Sequence, residues 1–346
     1  MKEVSVQVLV VGGGLAGSIL AWKLMQQGIS TSITFDPNIP SASRVAAGLI
    51  NPVTGQRLVL QANAKELLAS CSVFYQALEV HFHTSFFFEK PMLRYLRHDK
   101  EVMAWKKRQA HPDYDDYLEA TDNPNVILQH HTAYLDTQAL LRCLHDAFEC
   151  RGMLRHATLH YDDIAYQPAC IRWRNILTQR IIFCEGWRGQ YNPWFQSLPF
   201  QPAKGEMLDL KTSSKRPEYI INHGRWLLAT HDGRIRFGAT YDSSASSWHE
   251  STTCHAKEVL LSDLKDMPTV LEDVEVIRQQ AGVRPNTLDK QPFLGFCAEY
   301  PNIGILNGFG SKGSMTIPYY ADVLVEHIQQ QKTLPENVDI RRFGCV

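Results

Sequence analysis

Near its start the chain reads Val8-Leu-Val-Val-Gly12-Gly-Gly14-Leu-Ala-Gly17-Ser-Ile-Leu-Ala-Trp-Lys-Leu24. The apolar run predicts a buried strand, and the segment after the glycines predicts a helix. Gly12 allows a tight turn, Gly14 lets the main chain approach a diphosphate, and Gly17 lets the helix pack closely on the strand. The helix N-terminus then faces the phosphates. The pattern therefore predicts a dinucleotide site in a Rossmann-type α/β domain.

A second strand is predicted at Thr31 to Phe35, and it leads directly into Asp36. An acid about 20 residues after the last glycine can accept hydrogen bonds from ribose hydroxyls. The alternative is a glycine-rich turn that binds nothing. Downstream, Ser43 and Arg44 can reach phosphate oxygens from a segment of small residues. The first 50 residues thus supply a candidate site for a dinucleotide.

Composition limits the classes of protein that the chain can belong to. Its 346 residues exceed the usual size of one core, so we expect two domains. Lys plus Arg total 35 against 36 for Asp plus Glu, so no overall field attracts nucleic acid or an anionic membrane. The eight cysteines form no Cys-x-x-Cys pair and are expected to be free thiols. Without a span of about 20 apolar residues, the chain is expected to be cytoplasmic.

The segment Ala46-Ala-Gly48-Leu-Ile-Asn-Pro52 follows the acid and the serine turn. In that order the motifs resemble the D-amino-acid oxidase and glycine oxidase superfamily of FAD-dependent amine oxidoreductases. The resemblance implies FAD rather than NAD. In covalent members a cysteine occupies the segment that matches Gly282 to Asp289, and here there is none, so noncovalent FAD is expected.

The resemblance also assigns cofactor contacts farther along the chain. It places main chain near Tyr161 against the adenine, and Gly186 close to the cofactor at the end of an apolar strand. A plain turn is the alternative for Gly186. The expected cofactor-binding residues are Gly12, Gly14, Leu15, Ala16, Gly17, Asp36, Ser43, Arg44, Ala47, Gly48, Leu49, Tyr161, Gly186, Gly310, Ser311, Lys312, Gly313 and Ser314.

Three residues are candidates for the chemistry. Arg284 precedes a proline, and its planar guanidinium suits a bidentate grip on a substrate carboxylate; a structural salt bridge is the alternative. Tyr241, in a Gly-Ala-Thr-Tyr segment, can bind a carboxylate or cover the flavin, or be an ordinary strand tyrosine. Lys312 opens a helix whose positive end can stabilise negative charge on the flavin pyrimidine. No histidine or cysteine set has metal-ligand spacing, so no metal is expected.

The predicted architecture is an α/β chain with a discontinuous FAD-binding domain and an inserted substrate domain. The substrate domain is expected to combine helices with a mostly antiparallel sheet, for which Asp232-Gly233 supplies a hairpin turn. The expected FAD-binding segments are 1–57, 136–204 and 282–330, the substrate segments are 58–135 and 205–281, and 331–346 is expected to be a surface tail.

The resemblance implies oxidation of the C–N bond of a small amino acid, N-substituted glycine or related amine by hydride transfer to flavin N5. Further motifs are Gly238-Ala-Thr-Tyr241, Gly282-Val-Arg-Pro285-Asn-Thr-Leu-Asp289-Lys-Gln-Pro292 and Gly308-Phe-Gly-Ser311-Lys312-Gly313. Within the superfamily they most resemble the FAD oxidase domain of the bifunctional enzymes that make 5-methylaminomethyl-2-thiouridine in tRNA. One alternative is therefore an oxidase acting on a carboxymethylaminomethyl-uridine side chain in tRNA. Another is an FAD-bound module without turnover, which would hold the cofactor but leave amines unoxidised.

Overall fold

The computed structural model describes residues 3–269 and 271–344. In this part of the chain the α-helices are α1 (Leu15–Gln26), α2 (Ala42–Val45), α3 (Ala64–Phe82), α4 (Asp99–Gln109), α5 (Thr137–Cys150), α6 (Cys254–Lys265) and α7 (Gly313–Gln330). The strands are β1 (Val4–Val11), β2 (Thr31–Phe35), β3 (Leu49–Ile50), β4 (Val53–Thr54), β5 (Val59–Leu60), β6 (Phe87–Glu89), β7 (Met92–Tyr95), β8 (Leu118–Ala120), β9 (Val126–Gln129), β10 (Ala133–Leu135), β11 (Leu154–His156), β12 (Ile164–Gln167), β13 (Cys170–Trp173), β14 (Ile176–Phe183), β15 (Ala203–Lys211), β16 (Ile220–His223), β17 (Arg225–Ala229), β18 (Ile235–Gly238), β19 (Glu275–Arg284), β20 (Phe293–Phe296) and β21 (Ile303–Asn307).

A parallel sheet forms the first layer of the fold. Its strands lie in the order β11-β2-β1-β14-β21, and each neighbouring pair is parallel. Val8, Leu9 and Val10 at its centre are fully buried, and Leu9 belongs to an apolar cluster that includes Trp173 and Phe195. The first half of β14 also pairs with β13, and β12 pairs with β13, in an antiparallel extension. This arrangement confirms the predicted Rossmann-type α/β sheet.

A second large sheet has the order β19-β15-β18-β17-β16-β7-β9-β8. Its pairings from β15 to β16 and from β7 to β8 are antiparallel, and only the pairing of β16 with β7 in that run is parallel. One face packs on α6 through a buried apolar cluster that includes Leu208, Phe237 and Leu260. The mostly antiparallel sheet with helices is therefore confirmed.

The chain divides into two compact units. The first contains Met1–Ala46, Thr137–Ala203 and Val283–Val346, and the second contains Ala47–Asp136 and Lys204–Gly282. Residues 47–57 thus group with the second unit, whereas the sequence predicted them in the FAD-binding domain. The reason is strand pairing, because β3 pairs with β10 and β4 pairs with β5 inside that unit.

The prediction that the chain from residue 331 is a surface tail is wrong for residues 331–344. Leu334, Val338 and Ile340 are buried, and the Leu294 amide donates to the Val338 carbonyl over 2.9 Å. Leu334 and Ile340 lie beside Gly295 of β20, and Ile340 belongs to the apolar cluster of the first unit, so the segment is part of that core. Residues 345 and 346 of the predicted tail lie outside the described residues.

Seven cysteines of the described part are free thiols, and Cys345, also expected to be free, lies outside it. Among the helices of residues 3–269 and 271–344, none is both long and apolar enough to cross a membrane. In the same ranges no group of three or more histidine, cysteine, aspartate or glutamate side chains is arranged to hold a metal ion.

Candidate functional site

The glycine turn joins β1 to α1 with main chain touching main chain. Gly12 has a φ of +119°, and a Cβ there would lie 2.3 Å from the carbonyl oxygen of Cys184. A Cβ at Gly17 would lie 1.9 Å from the carbonyl oxygen of Gly12. Side chains do not fit at either position in this conformation. The turn therefore has the close approach that lets a diphosphate reach the first turn of a helix.

The first turn of α1 presents main-chain donors to a ligand. Gly14 is its N-cap and is half-buried, as is Ala16, while Leu15 is buried. The Leu15 amide donates to Ser43 Oγ over 3.0 Å, so Ser43 braces this turn. N–H groups and the helix dipole together favour an anion here. The observed cradle fits the diphosphate of FAD.

Asp36 directly follows β2 at the carboxyl edge of the parallel sheet. Its Oδ1 accepts from the Asn38 amide over 2.9 Å, and its Oδ2 accepts from Thr158 Oγ1 over 2.8 Å. These hydrogen bonds, with the Asn38 amide first, lower the pKa of Asp36, so the side chain is an acceptor at neutral pH. Each carboxylate oxygen has a second lone pair that a ribose hydroxyl can use.

Arg44 lies in the short helix α2 beside the glycine turn. Its guanidinium donates to the Pro37 carbonyl over 2.6 Å, and its own carbonyl accepts from Gln138 Nε2 over 2.6 Å. Arg188 donates to the Pro40 carbonyl over 3.0 Å, which holds the same loop from another side. Ser43 and Arg44 thus stay predictions as phosphate ligands, and both also stabilise the loop.

Ala47, Gly48 and Leu49 belong to the second unit. Gly48 has a φ of +71°, and a Cβ there would lie 1.9 Å from the carbonyl oxygen of Leu135. Leu49 begins β3 and pairs with Tyr134. The strand register accounts for the glycine, and the cofactor contacts proposed for these three residues remain predictions.

Tyr161 and Gly186 both lie next to Glu185, a carboxyl group that the sequence reasoning did not single out. Tyr161 donates to Glu185 Oε1 over 2.8 Å, and Asn192 Nδ2 donates to Glu185 Oε2 over 2.9 Å. Burial raises the pKa of Glu185 to about 7, although these hydrogen bonds oppose the rise. Burial also raises the pKa of Tyr161, so this side chain remains a protonated donor. Gly186 has a φ of +60° and its carbonyl accepts from Asn307 Nδ2 over 2.9 Å.

The loop before α7 lies against the turn that follows Arg284. The Gly310 amide donates to the Pro285 carbonyl over 3.1 Å, and Gly310 has a φ of +54°. Arg284 is half-buried at the end of β19. Lys312 is the N-cap residue of α7, and burial, followed by the charge of Lys290, lowers its pKa. The structure thus brings the predicted carboxylate ligand and the predicted flavin-facing loop into one part of the first unit.

The remaining predicted positions in that loop differ in burial. Ser311 is exposed, Gly313 is half-buried and Ser314 is buried in the first turn of α7. Their roles toward the cofactor remain predictions.

Tyr241 lies in the second unit and is 66% exposed. Its neighbours in sequence are fixed to β15, because Lys204 and Asp242 exchange main-chain hydrogen bonds of 2.7 and 3.0 Å, and the Thr240 amide donates to Glu206 over 3.0 Å. The alternative of a half-buried strand tyrosine does not describe it. Its ligand role remains a prediction.

Several residues next to the predicted site escaped the sequence reasoning, namely Gln138, His145, Thr158 and Glu185. His145 and Gln138 lie on the polar side of α5, where the helical pattern gives no hint of their partners. Glu185 stands directly before the predicted Gly186, and its position between an apolar strand and a glycine was the one available signal.

The comparisons with known proteins agree with this geometry. Residues 7–327 match the DAO family profile, described as FAD dependent oxidoreductase. The glycine oxidase of Pseudomonas aeruginosa is 25% identical over 185 residues, which are 53% of this chain and 49% of that protein. The tRNA 5-methylaminomethyl-2-thiouridine biosynthesis bifunctional protein MnmC of Marinobacter nauticus is 22% identical over an alignment of 355 positions that covers 94% of this chain and 56% of that protein. The alignments thus span about half the length of these two relatives.

Solved structures show the same fold. Glycine oxidase from Geobacillus kaustophilus superposes with a TM-score of 0.82 at 16% identity, covering 99% of this chain and 98% of that one. Iminodiacetate oxidase from Chelativorans sp. BNC1 superposes with a TM-score of 0.78 at 18% identity, covering 96% and 98%. The predicted family, fold class and cofactor are confirmed. The chain belongs to the DAO family of FAD-dependent oxidoreductases.

Proposed function

We propose that the chain oxidises the C–N bond of a small amino acid, N-substituted glycine or related amine that carries a carboxylate. The observation that carries this proposal is Arg284, a half-buried guanidinium on a proline turn to which the Gly310 loop is hydrogen-bonded. The names of the relatives, glycine oxidase and iminodiacetate oxidase, support the substrate class. FAD, when bound, supplies the electron-accepting chemistry.

The residues of the chain then have to bind and orient the substrate. Arg284 stays charged at every relevant pH and offers two parallel N–H donors to a carboxylate, which fixes the direction of the attached carbon. Tyr241 stays a separate candidate, whose phenol can donate to a carboxylate. Lys312 and the first turn of α7 create positive potential, which would stabilise negative charge on a flavin ring bound at this helix end. Orientation and electrostatics are therefore the contributions of the protein, and no side-chain base is assigned.

Arg284→Ala tests the carboxylate contact. A charge-assisted hydrogen-bonded pair contributes about 1.5–3 kcal/mol, so KM for sarcosine or glycine should rise by about 10- to 150-fold. Arg278→Ala is the matched control, because Arg278 is an exposed arginine of the same strand. Flavin reduction is followed by absorbance under anaerobic conditions with each amino acid and with methylamine, which lacks the carboxylate.

The proposal requires that Arg284→Ala impairs reduction by the amino acids far more than reduction by methylamine. Equal loss with both kinds of amine would contradict the carboxylate contact. Unchanged kinetics with the amino acids would contradict it as well.

A second candidate substrate is a carboxymethylaminomethyl-uridine side chain in tRNA. The MnmC relative favours it, since that alignment covers 94% of this chain, and the uridine side chain is itself an N-substituted glycine. Lys106 and Lys107 are exposed at the end of α4, where phosphates could contact them. The alternative for these lysines is a solvated charge run, in line with the net charge of −1.

tRNA binding measured at 50 and 200 mM salt separates the two substrates. A phosphate-contacting protein binds at low salt and loses much of its affinity at higher salt. Flavin reduction by the modified tRNA, together with such binding, would favour the second candidate. Reduction by free amino acids without tRNA binding would favour the first.

A further inference from the structure

Helix α5 directs two polar side chains at the loops that form the predicted diphosphate site. His145 Nε2 lies 3.1 Å from the Gly13 carbonyl oxygen and 3.0 Å from Ser18 Oγ. Gln138 Nε2 donates to the Arg44 carbonyl over 2.6 Å. The two side chains are seven residues apart, so they share one face of the helix. One helix thus contacts both the glycine turn and the arginine loop.

The hydrogen bond at Gly13 has a defined direction. A carbonyl oxygen only accepts, so the contact at Gly13 is a hydrogen bond in the tautomer that carries its proton on Nε2, and Ser18 Oγ can then accept from the same N–H. Burial, followed by the positive charge of Arg44, lowers the pKa of His145 to about 4, so the ring is neutral at physiological pH. The ring also packs on Phe35 with 4.6 Å between centroids. The imidazole is therefore neutral, and with its proton on Nε2 it is a donor to the Gly13 carbonyl.

The trans peptide between Gly13 and Gly14 relates the direction of the Gly14 N–H to that of the Gly13 carbonyl. Within the planar peptide that joins Gly13 to Gly14, the carbonyl and the N–H point in opposite directions. Holding the Gly13 carbonyl toward α5 therefore directs the Gly14 N–H away from α5. Gly14 is the N-cap of α1, and N–H groups at a helix N-terminus bind phosphate.

We propose that His145 is a positioning residue for FAD, which aims the Gly14 N–H at the diphosphate, and that Gln138 holds the arginine loop in the matching position. Together they order both loops before the cofactor binds, which lowers the entropic cost of binding. His145 touches no reacting atom in this role. Its effect is on retention of FAD and not on the chemical step.

The test compares His145→Leu, which removes the donor, with His145→Gln, whose amide can donate to the same carbonyl. His156→Leu is the matched control, because the exposed His156 packs edge-on against Phe35 at 5.6 Å. The FAD dissociation constant is measured from the flavin fluorescence released when full-length holoprotein is diluted. Urea unfolding in saturating FAD is measured in parallel.

His145→Leu should raise the FAD dissociation constant about tenfold, the scale of one lost hydrogen bond to a half-buried carbonyl. His145→Gln should stay within about threefold of wild type, and His156→Leu should match wild type. FAD retention at the wild-type level in His145→Leu would overturn the proposal, and so would equal losses in the Leu and Gln variants. If His145→Leu does not fold, Gln138→Leu replaces it, and an unchanged dissociation constant there would overturn the proposal.

Discussion

Replacing Gly17 by alanine puts a methyl group where the surrounding atoms leave no room. Its Cβ would lie 1.9 Å from the Gly12 carbonyl oxygen, 3.0 Å from the Gly12 carbonyl carbon and 3.3 Å from Cys184 Cβ. Non-bonded heavy atoms prefer separations of roughly 3.5–4.0 Å. The nearest obstacle is main chain, which no rotamer change can move. Helix α1 must therefore shift away from the end of β1.

The size of the effect follows from two opposing contributions. Overpacking a well-packed interior costs about 1–3 kcal/mol, and the upper value applies where the backbone has to move. Alanine is preferred over glycine in a helix interior by about 1 kcal/mol. We therefore expect the Gly17→Ala variant to lose about 2 kcal/mol of unfolding free energy. The displaced first turn of α1 should also weaken FAD binding by about tenfold or more.

Gly28→Ala is the matched control. Gly28 has a φ of +73°, and no atom lies within 4 Å of the position that a Cβ would take there, so strain at this site is conformational only. It should cost about 1 kcal/mol and leave FAD binding unchanged. Urea unfolding and FAD release on dilution measure both quantities. A Gly17→Ala protein with wild-type FAD affinity and an unfolding free energy within about 0.5 kcal/mol of wild type would refute this reasoning.

Three further predictions concern single side chains. Burial raises the pKa of Glu185 from 4.5 to about 7, so the native state holds a proton that the unfolded chain releases. The free energy of unfolding should therefore fall by at most about 3 kcal/mol as the pH rises from 4.5 to 7. Urea unfolding of Glu185→Gln at several pH values tests this, and the same pH dependence in that variant would contradict it. Asp36→Asn should weaken FAD retention about tenfold, which flavin release on dilution measures, and wild-type retention would argue against the ribose contact. Ile340→Ala should cost about 2–5 kcal/mol in urea unfolding, whereas Ile39→Ala, at a 38% exposed position, should stay within about 0.5 kcal/mol; equal costs would place residue 340 outside the core.

The sequence reasoning predicted correctly those features that are determined by residues close together in the chain. The glycine spacing from Gly12 to Gly17 needs no distant partner to specify a strand, a turn and a helix, and the structure has β1 and α1 at these positions. The same holds for the strand before Asp36 and for the hairpin at Asp232 and Gly233, which joins β17 to β18. In each case the signal and the structure lie within a few residues of each other.

Features that depend on distant contacts could not be predicted in this way. The hydrogen bond between His145 and Gly13 joins positions 132 residues apart, and the helical pattern of α5 does not reveal it. The polar residues after Gln331 indicated a surface tail, but Val338 and Ile340 are fully buried, and Ile340 packs into the apolar cluster of the first unit. The boundary after Ala46 was misjudged for the same reason, because the pairing of β3 with β10 decides it.

The most direct test of the proposed function is the absorbance spectrum of the purified protein, recorded anaerobically while glycine, sarcosine and iminodiacetate are added in turn. The spectrum should show oxidised flavin, and at least one of these carboxylate-bearing amines should bleach its visible band. A flavin band that no amino acid bleaches would contradict the proposed substrate class. A colourless protein that cannot be reconstituted with FAD would contradict the cofactor site itself.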